Sequence, residues 1–236
     1  MVSKERATHM IEKIKELDFD LRDETSESGR VYIVPDGKRY PSITTVLSAT
    51  SSKEHLDAWR KRIGEEEANK ITARSSRRGT ELHSVCEKYL LNEMSSFKLS
   101  SMMPHVKELF YKIKPFIDSS LNKVHALEQP LYSNELRIAG RTDCICLWDN
   151  KLTVLDFKNS IKPKKKEYIE NYFVQCTAYS LMFQELTNQP IDNIVILIGV
   201  EQGPGQIFVE SSSSYRDNLM QRLELYYDKS NDFKLT

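Results

Sequence analysis

The sequence predicts an α/β protein in which a mainly helical N-terminal half precedes a mixed central sheet flanked by helices. Three observations support this prediction. Apolar residues recur at helical spacing through much of residues 1–122, and β-type runs begin at about Lys123. Residues 194–200 are nearly all apolar, as in a strand buried in the middle of a sheet. One domain over residues 1–236 is the simplest organisation for this length.

The N-terminal half is expected to consist of helices, loops and one small hairpin. Ser42 is suited to cap a helix, and Pro104 is suited to begin one. In chain order, the pattern predicts a helix at 4–17, a polar loop at 18–29, a hairpin at 31–40, helices at 43–48, 53–73 and 78–92, a Ser-rich break at 95–101 and a helix at 104–119.

The C-terminal half, residues 123–236, is expected to follow the order βββαββα. Asp149 and Asn150 mark a tight turn between two of the strands. The predicted strands are 124–132, 136–148, 152–159, 194–200 and 207–209, and the predicted helices are 167–187 and 212–228. We interpret residues 1–122 as a helical wall or arch over this βββαββα core.

The charge balance excludes a uniformly basic nucleic-acid binder, because 34 Lys and Arg residues face 34 Asp and Glu residues. A local basic groove remains compatible with this balance, since the cations cluster at 60–62, 74–78 and 162–166. No apolar run approaches the roughly 18 residues of a membrane span. The first 20 residues resemble neither a signal peptide nor a transit peptide, so an intracellular, soluble protein is expected.

Four cysteines are present, and none forms a CxxC pair, which argues against a zinc ribbon. An iron–sulfur cluster needs four thiolates that converge in space, and nothing else in the sequence supports one. We therefore expect no iron–sulfur cluster and predict that Cys86, Cys144, Cys146 and Cys176 are reduced, mostly buried thiols.

The residues most indicative of chemistry are Asp143, Asp156 and Lys158, on two adjacent predicted strands. Asp156 and Lys158 are two positions apart, so they share one sheet face, while Phe157 points into the core. A modest offset or bulge is expected to bring Asp143 level with Asp156. Two carboxylates beside an amine suit a hydrolytic Mg²⁺ or Mn²⁺ site. A surface ion pair on an edge strand is the alternative, and it is the commoner origin of an isolated D-x-K pattern.

Further candidates are His83 in a predicted helix, Glu128 before the core strands, and Gln175 and Tyr179 on one helical face. Each signal is weak by itself, because a single helical histidine is usually structural. Glu87 shares the helical face of His83 and is left as a surface residue or one that supports the site indirectly.

Five segments, GTELH, ALEQP, GRTD, LDFK and QCTAY, follow in one order across residues 79–180. Together they resemble the RecB-type branch of the PD-(D/E)XK nucleases. Three further stretches, at residues 40–47, 59–62 and 151–164, are similar to the mitochondrial genome maintenance exonuclease family. This extends the resemblance to most of residues 40–225.

The resemblance implies a restriction-endonuclease-like core and an activity that needs Mg²⁺ or Mn²⁺. Metal contacts are implied for His83, Asp143, Asp156 and the backbone carbonyl of Phe157, and Lys158 matches the catalytic lysine. Gln175 and Tyr179 match a pair that supports the lysine and contacts the DNA backbone, and Glu128 has the least defined supporting role. The expected DNA contacts outside these motifs are Arg60, Arg62, Arg78, Ser160, Lys162 and Lys164.

The implied activity is exonucleolytic hydrolysis of single-stranded DNA from a free end, during replication, repair or recombination. The chain is expected to act as a monomer, with replication or recombination proteins as further partners. A structure-selective endonuclease and a DNA-binding subunit with a vestigial site are the alternatives. Because no mitochondrial presequence is visible, we expect the cytoplasm of a bacterium or a phage-infected host rather than a mitochondrion.

Overall fold

A computed structural model describes residues 9–12, 14–93 and 103–229, with the backbone only for residue 229. In chain order the elements are β1 (Met10–Ile11), β2 (Arg22–Ser26), β3 (Gly29–Ile33), β4 (Arg39–Pro41), α1 (Ile43–Thr50), α2 (Glu54–Ile63), α3 (Glu65–Leu90), α4 (Pro104–Ser120), β5 (Leu121–Ser133), β6 (Ile138–Trp148), β7 (Lys151–Ser160), α5 (Glu170–Thr187), β8 (Asn193–Val200), β9 (Gln206–Ser211) and α6 (Arg216–Lys229).

The central sheet has six strands in the order β1-β5-β6-β7-β8-β9. Strands β5, β6 and β7 are antiparallel neighbours, whereas β7 and β8 run parallel, so the sheet is mixed as predicted. Strand β8 is almost wholly buried, which agrees with its apolar sequence. The βββαββα order predicted after residue 123 matches the order of elements observed there.

Helices cover both faces of this sheet and enclose two separate cores. On one face, Val154 of β7 packs in a core with α1, α5 and α6. On the other face, Leu155 and Phe157 pack in a core with α3 and α4. This alternation along β7 has a period of two, as the pleat of a strand requires. The predicted mixed sheet flanked by helices is therefore confirmed.

The N-terminal segment differs from the prediction. The described part of the predicted helix 4–17 forms β1 and a 3₁₀ turn at Lys15–Leu17, while residues 4–8 and 13 lie outside the described residues. Met10 and Ile11 pair in parallel with β5, and this tertiary pairing overrides the helical spacing. The predicted loop 18–29 contains β2, a fully exposed polar strand that joins β3 and β4 in a second sheet.

The helical boundaries also differ, at residues 53–92. Instead of two helices divided near residue 75, α2 ends before Gly64 and α3 continues unbroken from Glu65 to Leu90. Gly64 has φ +87°, a conformation that favours glycine, and it separates the two helices. The predicted cap of α1 is confirmed, because the Ser42 hydroxyl accepts the Thr45 N–H. The Ser-rich break at 95–101 lies outside the described residues.

Candidate metal centre

Three acidic residues stand side by side on β5, β6 and β7. The paired residues of β6 and β7 end with Cys144 and Leu155, and Asp143 and Asp156 are the next residues on the two strands. On the other side of β6, the pairs on either side of Glu128 set that residue opposite Asp143. The expected offset between the two aspartates was wrong, because the turn that pairs Trp148 with Lys151 already aligns them.

Asp143, Asp156 and Lys158 lie on the sheet face that carries α5. Asp143 is two positions from Ile145, and Asp156 is two positions from Val154, and both of these apolar residues belong to the α5-side core. Strand β7 lies inside the sheet, and Asp156 is 1% exposed. These positions exclude the alternative of a surface ion pair on an edge strand.

His83 reaches the site from α3, the helix that packs on the opposite face of the sheet from α5. Its Nδ1 lies 3.4 Å from Asp143 Oδ1, and its Nε2 lies 2.6 Å from the Phe157 carbonyl oxygen. The Phe157 N–H donates to Asp143 Oδ2 at 2.8 Å. A single residue of β7 thus holds both the histidine and the aspartate through its backbone.

Gly79, one turn before His83, permits the close approach of α3 to β7. A Cβ atom at this position would lie 3.1 Å from Asn159 Oδ1. The Asn159 amide donates to the Ser75 carbonyl at 3.2 Å, which ties the same turn of α3 to β7. This contact gives the glycine of the GTELH segment a packing role.

His83, Glu128 and Asp143 each offer a ligand atom, and these atoms all lie within 4.8 Å of one another. An imidazole nitrogen with carboxylate oxygens suits a divalent cation such as Mn²⁺ or Mg²⁺. Glu128, expected only as a support for DNA binding, therefore lies among the potential metal ligands. Asp156 is directed instead to an ion pair with Lys158. The Phe157 carbonyl, an expected ligand, is occupied by His83 Nε2.

The protonation equilibria of the acids reflect their burial and mutual repulsion. Burial and the charge of Asp143 raise the pKa of Glu128 to about 7. Burial also raises the pKa of Asp156 to about 6, because the opposing effect of Lys158 only partly offsets it. For Asp143 itself, burial opposes ionisation, but the hydrogen bond and charge of His83, together with the charge of Lys158, outweigh burial and lower the pKa. Carboxyls with raised pKa values gain from a nearby cation, so the cluster fits a bound metal ion.

His83 and Lys158 are the positive partners of these acids. Burial opposes the charge of His83, but the hydrogen bond and charge of Asp143, together with the charge of Asp156, outweigh burial and raise the pKa of His83 to about 9. Burial likewise opposes the charge of Lys158, but the charges of Asp156 and Asp143 together with the hydrogen bond to Asp156 outweigh burial and raise the pKa of the amine above its usual range. The Lys158 Nζ also lies 5.1 Å from the ring centre of Tyr172. The amine is therefore positively charged at neutral pH.

Gln175 and Tyr179 of α5 bond to each other, with the Gln175 amide 3.0 Å from the Tyr179 hydroxyl. Tyr179 is 2% exposed and packs against Gly140, where a Cβ atom would come within 2.7 Å of the ring. This burial favours a supporting role for Tyr179 over direct contact with DNA. The glycine of the GRTD segment is required by the same close approach.

The predicted cationic contacts occupy different settings. Arg78 is 5% exposed and forms an ion pair with Glu201, so contact with DNA would require this pair to open. Arg60 bonds to Glu65 and Asn69 within the helical segment, whereas Arg62 is exposed.

The remaining predicted contacts lie together on the segment that follows β7. The Ser160 hydroxyl is buried and donates to the Lys162 carbonyl, while the side chains of Lys162 and Lys164 are exposed. All three residues line one groove beside α3. Tyr172, which the sequence analysis missed, also lines this groove. Its position three residues before Gln175 on α5 is the signal that could have identified it.

The four cysteines are buried free thiols, as predicted. Within the described part of the chain, no helix is long and apolar enough to cross a membrane.

The fold and the site together define an α/β protein with a candidate metal centre beside a buried aspartate–lysine ion pair. No family model matches the chain, but comparison with individual proteins identifies relatives. The chain is homologous to mitochondrial genome maintenance exonuclease 1, with 26% identity to the human protein over 205 residues and 28% identity to the Xenopus tropicalis protein over 176 residues. The resemblance inferred from the sequence motifs is thus confirmed.

These alignments cover 80% and 70% of this chain, but 58% and 49% of the human and Xenopus proteins. The chain therefore spans about half the length of the curated relatives it matches. The solved structure of a candidate exonuclease from Eubacterium rectale is 13% identical in sequence, with a TM-score of 0.43. That alignment covers 68% of this chain and 69% of the solved chain. A TM-score below 0.5 supports neither a shared fold nor a shared activity. The relatives' names refer to mitochondria and give no support to the expected bacterial or phage setting.

Proposed function

We propose that this chain is a divalent-metal-dependent nuclease that hydrolyses single-stranded DNA from free ends on a PD-(D/E)XK core. One observation carries the proposal: the donor atoms of His83, Glu128 and Asp143 converge within 4.8 Å, beside the Asp156–Lys158 ion pair. The homologues support it, because they are exonucleases by name. A role in DNA replication, repair or recombination, as a monomer, completes the proposal.

In this proposal His83, Glu128 and Asp143 hold Mg²⁺ or Mn²⁺, with Asp156 adjacent. The pKa of His83 is raised to about 9, so its imidazole would release a proton when it binds the cation. The nitrogen ligand favours Mn²⁺ somewhat. When bound, the cation would neutralise phosphate charge and lower the pKa of water in the site. The Phe157 carbonyl becomes available to the cation only if its hydrogen bond with His83 opens.

The chain's own groups orient the substrate and stabilise the charge that develops on it. Lys158 is positively charged, so it stabilises negative charge on the attacked phosphate rather than accepting a proton from water. Asp156 holds the amine in place by their ion pair. Gln175 and Tyr179 support the same face of the sheet from α5. The expected products carry a 5′-phosphate and a 3′-hydroxyl.

Residues 1–122 are proposed to act as a wall or arch that guides the strand to the core of residues 123–236, all within one domain. The two parts are in direct contact, because β1 pairs with β5 and His83 of α3 bonds to the Phe157 carbonyl of β7. A narrow passage would admit a single strand and exclude a duplex.

The test is digestion of end-labelled single-stranded, duplex and circular single-stranded DNA with Mg²⁺, Mn²⁺ or chelator. We expect degradation of the linear single strand only, and only with a metal. Asp156→Ala and Lys158→Ala should abolish cleavage while each folded variant keeps the wild-type circular dichroism spectrum. Their melting temperatures should be lower, because each variant leaves one member of a buried ion pair without its partner. Lys151→Ala, at the exposed β6–β7 turn, is the matched control and should cleave normally.

Each other result points to a different activity. Efficient cutting of the circle would replace the exonuclease by an endonuclease. Binding of DNA without cleavage in any metal would indicate a DNA-binding subunit with a vestigial site. Retained cleavage in purified Lys158→Ala would contradict the assignment of this site.

A further inference from the structure

Two grooves meet at Tyr172, next to Lys158. One groove, of about 730 Å³, lies between α3 and the segment that follows β7, and Lys162 and Tyr168 line it. The other, of about 300 Å³, lies between α5 and the junction of α1 and α2, and Lys53 lines it. Tyr172 lines both grooves, so they adjoin at this side chain, whose ring centre lies 5.1 Å from the amine of Lys158.

Among the residues that the structure describes, no acidic side chain lines either of these two grooves. This is selective, since the chain carries 34 acids and other grooves of the protein include them. The groove beside β5 is lined by Asp18 and Glu87, and another is lined by Glu135 and Glu185. Apart from the acids of the metal centre itself, the linings of these two grooves therefore lack the charges that would repel a polyanion.

The cations of the two grooves are available for a ligand. Lys53 and Lys162 are exposed, one in each groove, and neither forms an ion pair with a described residue. Lys164 stands with Lys162, its backbone held by Gln206 at 2.7 Å. Lysines in both of the adjoining grooves suit a chain of phosphates that runs from one groove into the other.

The remaining lining groups suit bases and sugars. Tyr168 is 77% exposed and stands in the larger groove, where its ring offers a face for stacking. The opposite wall consists of Thr72, Ser75 and Ser76 of α3, whose hydroxyl groups suit phosphate oxygens. In the smaller groove, Asn171 and Gln175 supply amides.

We propose that a single nucleic-acid strand crosses the site through both grooves, bound at Lys162 and Tyr168 on one side, at Lys53 on the other, and against Tyr172 where the grooves meet. The inference rests on the proposed nuclease function and extends it: substrate is held on both sides of the attacked bond. It adds Lys53, Tyr168 and Tyr172 to the residues that contact the strand.

The test measures binding of a fluorescent single-stranded oligonucleotide with phosphorothioate linkages, which resists hydrolysis, in the presence of Mg²⁺ and over a range of salt. The logarithm of the binding constant falls as the logarithm of the salt concentration rises. Lys53→Ala and Lys162→Ala should each make this negative slope shallower by about 0.7, and the double variant by about 1.4. Lys151→Ala, which removes an equal charge outside both grooves, should leave the slope unchanged.

Tyr168 provides a second, uncharged readout. Tyr168→Leu should weaken binding roughly tenfold through the loss of one base stack, whereas Tyr168→Phe should bind like wild type. Because this side chain is largely exposed, neither variant should affect folding.

Cleavage of an ordinary oligonucleotide is measured in parallel, so that the two proposals can fail separately. If Lys53→Ala shows the wild-type salt dependence of binding while the protein still cleaves DNA, the two-sided path is wrong and the nuclease proposal stands. If both lysine variants lose the expected 0.7 of the slope but no metal supports cleavage, the path is supported and the nuclease proposal is wrong. Absence of strand binding in the wild-type protein would overturn both.

Discussion

Replacing Glu128 with glutamine tests the electrostatic basis of the metal centre. Glu128 stands opposite Asp143, and burial together with this neighbouring charge raises its pKa to about 7. Since the folded-state pKa lies above the ordinary value of 4.5, the folded protein holds this proton more tightly than the unfolded chain. Ionisation of Glu128 therefore destabilises the metal-free protein as the pH rises, fully so above the folded-state pKa.

The magnitude follows from the size of this displacement. A carboxyl pKa moved from 4.5 to about 7 lowers the free energy of unfolding of the ionised protein by at most about 3.4 kcal/mol. Glu128 is only partly buried, so solvent screening reduces the effect, and we expect about 1–2 kcal/mol. Glutamine keeps the shape without the charge. In chelator, Glu128→Gln should thus be more stable than wild type by this amount at pH 8, and equal to it at pH 4.5 or below.

The assay is urea unfolding of both proteins in chelator at acid and alkaline pH, repeated with Mn²⁺. Metal should reverse the order at pH 8, because wild type keeps a ligand that the variant lacks; a site filled at one hundred times its Kd adds about 2.7 kcal/mol. Glu135→Gln, an exposed glutamate in the β5–β6 connection, controls for loss of any carboxylate. A Glu128→Gln protein that is less stable than wild type at pH 8 in chelator would refute the reasoning.

Three further predictions concern packing, a buried ion pair and the metal. Gly140→Ala places a Cβ atom 2.7 Å from the Tyr179 ring, so overpacking should lower the free energy of unfolding by about 1–3 kcal/mol, measured by urea unfolding. A variant as stable as wild type would contradict this close packing. Glu201→Gln leaves buried Arg78 without its partner and should cost about 3 kcal/mol, with partial recovery in Arg78→Met/Glu201→Gln. Chelator should lower the melting temperature of wild type but not of Asp143→Asn, as differential scanning fluorimetry can show.

The elements after residue 123 were predictable because their signals are local. Apolar runs and alternating patterns placed each strand, and the Asp149–Asn150 turn has positive φ at both residues, which suits a tight hairpin. The two-residue spacing of Asp156 and Lys158 predicted their common face, since the strand pleat repeats every two residues.

Other features depended on contacts between distant segments. Strand β1 owes its conformation to pairing with β5, and exposed β2 to pairing with β3, so neither was visible in its own pattern. Glu128 has φ +47° in the strand, and its place among the metal donors depends on the register with β6. Arg78, read as a DNA contact from its basic cluster, instead pairs with Glu201, which lies far along the chain.

The sequence by itself determined the class of fold, the alternation that presents Asp156 and Lys158 together, and the family that the chain resembles. Only the tertiary structure decided which donors meet: His83 with Asp143 and Glu128 at one point, and Tyr172 between two acid-free grooves. The physical reason is the distance along the chain over which each kind of interaction acts. Periodicity and turn chemistry act between near neighbours, whereas a metal site and a binding path require charges and donors brought together by strand order and helix packing.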